Sequence, residues 1–279
     1  MTGIVIDMNP VAFQLGPLAV RWYGLALALA LAVGLVVAQH EARRKGIVED
    51  EVYAVAFWAI LGALVGARIF HALDELDYYL SHPWEALAFQ EGGLSMWGGL
   101  AGGLLGGWLY LRRHELPLAP LLDAAAPALL VGQAIGRLGC IVNGDAYGRL
   151  ADLPWAFTYI NPDALIPTLG VPTHPYPVYE IAWNLAVLAV LWPLRRRLRV
   201  DGLLFLAYAG LYGLGRFALG YTRQGDAAFL GLQPTQILSL AALVAAILWT
   251  TRLLQSGPER GREPDSHTME RPDPSLRSG

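Results

Sequence analysis

Three arginines stand inside stretches that are otherwise apolar: Arg68, Arg137 and Arg216. An arginine at membrane depth costs about 2.5–3.5 kcal/mol on insertion scales, so each calls for a partner and often marks a site. Arg137 lies in the stretch GRLGCIVNGDAYGR, Gly136–Arg149, which begins within an apolar segment, leaves it through Asn143, Gly144 and Asp145, and ends on Arg149. Gln133 sits four residues before Arg137, on the same helical face. The near sequence offers Arg137 only Asp145 as a carboxylate; Asp123 and Glu180 are the other acids at depth. One reading pairs Arg68 with Asp123 and Arg216 with Glu180. The other leaves arginines over, because the carboxylates are few and scattered. Two guanidinium groups converging on a cavity would then hold a phosphate, whose oxygens fit the planar fork.

The elements that must carry these residues are read from composition and blocks of hydrophobicity. Of 279 residues 55% are hydrophobic and 15% charged, against about 25% charged in soluble proteins. Mean hydropathy is +0.41. The apolar residues fall in blocks long enough to span a bilayer, which needs about 20 residues. The expected spans are 19–39, 52–72, 92–111, 118–139, 178–194, 203–221 and 232–250, giving an all-α polytopic membrane protein with about seven transmembrane helices. Basic clusters follow the first, third and fifth: His40–Lys45, Arg112–His114 and Arg195–Arg199. An acidic stretch with Asp74, Glu75, Asp77, Glu85 and Glu91 follows the second. The positive-inside rule then puts the N-terminus outside and the C-terminus in the cytoplasm. Residues 1–255 form the membrane-embedded domain, with an outer-face head segment at about 140–177; the tail, 256–279, is polar, rich in Pro and Arg, and expected to be disordered.

Several functions are excluded or disfavoured. The single Cys140 allows no intrachain disulfide and no multi-cysteine metal site. Zinc-protease and nucleotide-binding motifs are absent, and no nucleic-acid partner is expected. No Lys or Arg precedes Arg21, so the N-terminus lacks the basic start of a cleaved signal peptide. Paired glycines at 98/99, 102/103 and 106/107, with Gly62 and Gly66 in the preceding span, make stripes for close approach of a helix or a lipid chain.

Gly136–Arg149 resembles the signature of the prolipoprotein diacylglyceryl transferase family. Matching motifs extend along the chain: Gly16-Pro17 before Arg21-Trp22-Tyr23-Gly24, Gly66-Ala67-Arg68, Gly92-Gly93-Leu94-Ser95 with Gly98-Gly99, His174-Pro175 before Tyr179-Glu180, and Arg216 before Arg223-Gln224. The resemblance implies a multi-pass protein of the bacterial cytoplasmic (inner) membrane. It implies transfer of the diacylglyceryl group of phosphatidylglycerol to the thiol of a lipobox cysteine in a prolipoprotein signal peptide. A thioether forms and glycerol phosphate leaves, with no cofactor and no metal. By the same resemblance Arg137 and Arg216 are the catalytic phosphate ligands, and Tyr23, Asn143 and Gly148 line the substrate site.

The sequence departs from the family pattern at four positions. Trp97 stands where many members have a histidine cast as the base for the thiol proton, and indole cannot act as one. Cys140 replaces an asparagine, Asp145 a glutamate, and Gly220 a glutamate that would face Arg216. The general base is therefore unassigned, with His71 and His174 as possible substitutes. Cys140, three residues from Arg137, could be a reactive thiolate or a small packed side chain. The alternatives to the transferase are a diverged relative with another acceptor or no catalysis, and a phospholipid-binding or transport protein. The last is disfavoured by the absence of an internal repeat.

Overall fold

The computed structural model describes residues 3–16, 18–87, 93 and 95–255. The expected disorder of the tail 256–279, the motif residues Pro17, Gly92 and Leu94, and Glu91 of the acidic stretch lie outside the described residues. Helices occupy α1 (Trp22–Arg44), α2 (Glu49–Asp74), α3 (Leu76–Ser81), α4 (Met96–Arg113), α5 (Leu118–Asn143), α6 (Tyr176–Leu194), α7 (Leu203–Leu219) and α8 (Pro234–Gln255). Among the described residues, six are long and apolar enough to cross a membrane: α1, α2, α5, α6, α7 and α8. The helix at the expected third span, α4, does not count among them, because its paired glycines and two terminal arginines lower its hydropathy over only 18 residues.

A polar cluster fixes one end of the bundle. Glu41 of α1 is fully buried, accepts from Arg44 at 2.9 Å and forms an ion pair with Arg195, just past α6, at 2.8 Å. Lys45 Nζ bridges Asp123 of α5 at 2.6 Å and Asp201 at 2.7 Å. Asp123 also accepts from the backbone N–H groups of Gly202 and Phe205, both at 2.9 Å. It thereby caps the first turn of α7 from a different helix, satisfying N–H groups that a helix cannot satisfy internally. Nearby, Arg43 pairs with Glu49 at 2.6 Å and Tyr110 of α4 donates to Glu51 of α2 at 3.1 Å. The segments after α1, α4 and α6 thus share one end, as the alternation of basic clusters requires.

This arrangement overturns the Arg68–Asp123 pairing. Arg68 lies late in α2 and Asp123 early in α5, so they sit at opposite ends of the bundle. Arg68 instead donates to the backbone oxygen of Gly93 at 3.1 Å and to that of Glu85, with its guanidinium 5.4 Å from the Tyr79 ring centre. Its role is to tie the segment after α2 back onto the helix.

The glycine stripes pack helix on helix. A Cβ on Gly102 would stand 2.2 Å from the Gly62 oxygen, and one on Gly66 2.4 Å from the Gly98 oxygen. Only hydrogen fits there, so the α2 and α4 backbones touch directly. Elsewhere the core is larger: Ala126, Leu130, Val187, Leu191, Leu204 and Tyr208 lock α5, α6 and α7 together.

The other end carries a small head that is not helical. Strand β1 (Ile4–Ile6) pairs parallel with β4 (Phe157–Tyr159), which pairs antiparallel with β5 (Pro172–Thr173); β2 (Val11–Leu15) and β3 (Leu18–Arg21) form a hairpin. The head thus adds short strands to the expected all-α architecture, and it recruits the N-terminal residues as well as the expected 140–177 segment. Phe157, Tyr159 and Ile166 form its core, and the Tyr159 hydroxyl donates to the Ile141 carbonyl of α5 at 2.9 Å. Burial, with Asp145 and Cys140 adding to it, pushes the Tyr159 phenol up from its usual value, so it stays a donor.

The α2–α4 contact yields a paired test. Gly102→Ala should lower the thermal midpoint of the detergent-solubilised protein by several degrees, since overpacking costs about 1–3 kcal/mol. Gly99→Ala, whose Cβ would have ordinary contacts at 3.6 Å, should leave it nearly unchanged.

Candidate functional site

Helices α5, α6 and α7 each bring one charged residue to a common point near the head. Glu180 on α6 takes Arg137 of α5 on one carboxylate oxygen and Arg216 of α7 on the other. The Tyr176 hydroxyl, one turn before Glu180, donates to it at 2.9 Å and also accepts from Arg216. The Glu180 side chain is 5% exposed, whereas those of Arg137 and Arg216 are 24% and 16% exposed. The acid is therefore enclosed between two guanidiniums that are themselves less buried. Two guanidiniums share one carboxylate, so the cluster keeps one positive charge in excess. Arg223 adds to this field, with its guanidinium 5.7 Å from the Tyr176 ring centre, against 5.8 Å for Arg216.

Local packing holds the three helices in this register. Gly215, beside Arg216, lies so close to Trp183 that an added Cβ would stand 1.9 Å from the indole nitrogen. That nitrogen donates to the Leu211 carbonyl at 3.0 Å and ties α6 to α7. Gln133, one turn before Arg137, donates to the Tyr208 hydroxyl at 3.0 Å and ties α5 to α7.

The other expected site residues surround this point in different ways. Tyr23, at the start of α1, is 38% exposed. Its Cα lies 3.0 Å from where a Cβ on Gly139 would be, so that glycine, between Arg137 and Cys140 in the chain, lets α1 reach α5. Asn143 is the last residue of α5, four residues beyond the expected end of that span. It is 4% exposed, and its side-chain oxygen is buried without a hydrogen-bond donor. Helix α5 stops there because Gly144 adopts a left-handed conformation, φ 75°, with its N–H on the Cys140 carbonyl at 2.9 Å. Gly148 is further along the head, where a Cβ would stand 2.5 Å from that of His174 and 2.7 Å from the Thr222 carbonyl. It forms a bridge with Arg223, and the Arg149 N–H donates to Thr222 at 2.8 Å. The structure thus joins Arg137 and Arg216 through Glu180 and sets Tyr23 against Gly139 of α5, while Asn143 ends that helix six residues beyond Arg137. Gly148 is linked to the two arginines through Arg223 and Tyr176.

The unusual positions are distributed differently. Gly220 does not leave Arg216 without an acid, because Glu180 supplies one from α6. A Cβ on Gly220 would lie 2.5 Å from the Gln236 side chain of α8, so the glycine serves close packing. Cys140 is 6% exposed, and Arg137 directs an N–H at its sulfur over 3.5 Å. Trp97 stands on α4, 48% exposed. Of the two histidines, His174 borders Gly148 and has its Nδ1 3.3 Å from the Tyr179 hydroxyl. His71 stands beside Gly93 and Arg68 on the α2–α4 side.

Sequence reasoning missed Tyr176 and Arg223, and it saw Glu180 as a partner for Arg216 alone. A tyrosine one helical turn before a buried acid is a usable signal for Tyr176. Nothing in the spacing ties Arg223 to the site, since it arrives through the head. Among the described residues no group of His, Cys, Asp and Glu is arranged to hold a metal.

The burial of Cys140 sets an expectation for its accessibility. A maleimide should label it in the denatured protein and leave it unlabelled in the folded one. Fast labelling of the folded protein would mean an open thiol above Arg137.

Comparison with known sequences adds an independent line. The model of the family described as prolipoprotein diacylglyceryl transferase matches residues 10–252. A protein of Dehalococcoides mccartyi named phosphatidylglycerol–prolipoprotein diacylglyceryl transferase is 37% identical over 244 residues, covering 87% of this chain and 92% of the relative. Relatives with the same name from Trichormus variabilis and Lysinibacillus sphaericus are 35% and 32% identical, covering 86% and 88% of this chain and 89% and 92% of their own lengths.

Proposed function

The chain belongs to the prolipoprotein diacylglyceryl transferase family, an enzyme family, and on that premise we propose how it carries out the first step of lipoprotein maturation. It takes the diacylglyceryl group from phosphatidylglycerol and joins it to the thiol of the lipobox cysteine of a prolipoprotein. The thiol gives up its proton to water or to the departing phosphate, sulfur attacks the glyceryl carbon bonded to phosphate oxygen, and that C–O bond breaks with its electron pair staying on the phosphate oxygen. The products are a thioether and glycerol phosphate.

The observation that carries this reading is the pair of guanidiniums meeting at Glu180 with one positive charge in excess. Free cysteine has a pKa near 8.5, so forming thiolate at pH 7 costs only about 2 kcal/mol. Expelling a phosphate from carbon is the harder demand, and it needs positive charge where the leaving oxygen develops its own. Arg137 and Arg216 meet that demand as the catalytic phosphate ligands, and they need no shift in protonation to do so. Tyr23 and the free side-chain oxygen of Asn143 line the same site and orient the headgroup. Gly148 shapes the wall opposite, where only a glycine fits against His174 and Thr222. Trp97 takes no proton from the thiol.

Placement in the membrane follows the charges. The end with Arg44, Lys45 and Arg195 faces the cytoplasm and the head faces outward, which puts the site within reach of exported prolipoproteins. Helix α4 completes seven spans by packing along α2, and residues 1–255 act as one membrane-embedded unit in the bacterial inner membrane.

The purified protein, given labelled phosphatidylglycerol and a lipobox peptide, should yield labelled peptide, and a peptide with alanine for the cysteine should yield none. Absence of labelled peptide at every pH would overturn the transferase reading. Arg137→Ala should lower the rate at least about 10²–10³-fold, as loss of a transition-state charge ligand does. Arg137→Lys should recover only part of this, since an ammonium keeps the charge without the fork.

A further inference from the structure

We infer that Glu180 is a positioning residue that imitates the lipid phosphate in the empty site and weakens binding of the doubly charged product more than that of the substrate. The inference rests on the phosphate role proposed above for Arg137 and Arg216.

The geometry is that of an internal ligand. Each guanidinium has one carboxylate oxygen, as each would have one oxygen of a phosphate, and among the described residues both arginines make their ion pairs with this acid. The Tyr176 hydroxyl holds the carboxylate from its own helix at 2.9 Å, so Glu180 keeps a partner when the arginines turn to another anion. The groups facing it are Arg137 from α5, with Cys140 alongside, Tyr176 from α6, and Arg216 from α7. Tyr212 of α7 lies within electrostatic reach of the acid, and Arg223 stands over the Tyr176 ring. Without an anion between them, two guanidiniums at this depth would repel each other and lose their common aim. Glu180 therefore keeps them aimed at a common point in the empty site, and an arriving anion must compete with it for them.

The charge sum gives the carboxylate a second consequence. Arg137, Arg216 and Glu180 together carry one positive charge. A phosphodiester such as the phosphatidylglycerol headgroup carries one negative charge and neutralises the set. The glycerol phosphate released is a monoester, whose second ionisation has a pKa of about 6. Above that pH the product carries two negative charges, and its repulsion from the buried, poorly screened carboxylate is twice that felt by the diester. Glu180 thus weakens phosphate binding in general and the doubly charged product most.

The test compares glycerol phosphate inhibition of the wild-type protein with that of Glu180→Gln and Glu180→Asp in the lipid and peptide assay. Glu180→Gln should tighten inhibition at least about tenfold. KM for phosphatidylglycerol should fall by a smaller factor, and kcat should fall as product release slows. Between pH 6 and 8, as the product gains its second charge, inhibition should strengthen in both proteins, and more steeply in Glu180→Gln than in the wild type. Loss of a merely structural ion pair would raise KM and the inhibition constant together, and either that result or an unchanged inhibition constant overturns the inference. Glu180→Asp keeps the charge and draws it back by one methylene, so it should tighten inhibition slightly and keep the wild-type pH trend. If thermal unfolding shows that Glu180→Gln does not fold, the inhibition constant of Glu180→Asp decides, and no change from wild type overturns the inference. A wild-type enzyme that transfers lipid but is not inhibited by glycerol phosphate at any soluble concentration would refute the phosphate role of the arginines itself, a result visible without any variant.

Discussion

One carboxylate shared by two guanidiniums organises the functional end of this protein. Leaving either arginine at depth without a partner would be costly, and leaving Glu180 there alone would be costlier still. The three charges therefore fix the rotation of α5, α6 and α7 about their axes, and the core of Ala126, Leu130, Val187, Leu191, Leu204 and Tyr208 fixes their spacing. The close contact of Gly215 with Trp183 and the hydrogen bond of Gln133 to Tyr208 follow from that register. Removing the acid would disturb packing as well as charge, because the site and the bundle are held by the same residues.

The opposite end solves a comparable problem with different chemistry. Asp123 takes two backbone N–H groups of α7 and the Lys45 ammonium, and Glu41 takes Arg44 and Arg195. These acids have more donors than a simple ion pair would supply, which repays their desolvation. The basic residues that record topology in the sequence are thus also the struts that close the bundle there. The α2–α4 pair uses no charge along its contact and relies on glycine, with backbones close enough for direct contact.

Most of the membrane architecture was legible in the sequence, because long apolar blocks and basic clusters report span positions and side alternation locally. The close approach of α2 and α4 was legible for the same reason, since stacked glycines at Gly98, Gly102 and Gly106 have few other uses. The Arg68–Asp123 pairing failed because it matched residues by charge and depth without the direction of their helices. The head was harder to read. Its strands have only two to five residues, and β1 finds β4 across more than half the chain. No local pattern encodes such a pairing.

For the site itself, the sequence determined which chemistry was available. Arginines in apolar segments, one acid on α6 and a glycine-rich turn after α5 are composition and spacing, and the family motifs rest on the same residues. Tertiary structure decided how these groups are shared. Glu180 serves Arg137 as well as Arg216, Tyr176 holds it from one turn earlier on α6, and Arg223 enters through the bridge to Gly148. The physical reason is range. Burial cost is a property of each residue and can be read from its neighbours in the chain. The neutralisation of that cost depends on which helix faces which, and only the packed bundle specifies it.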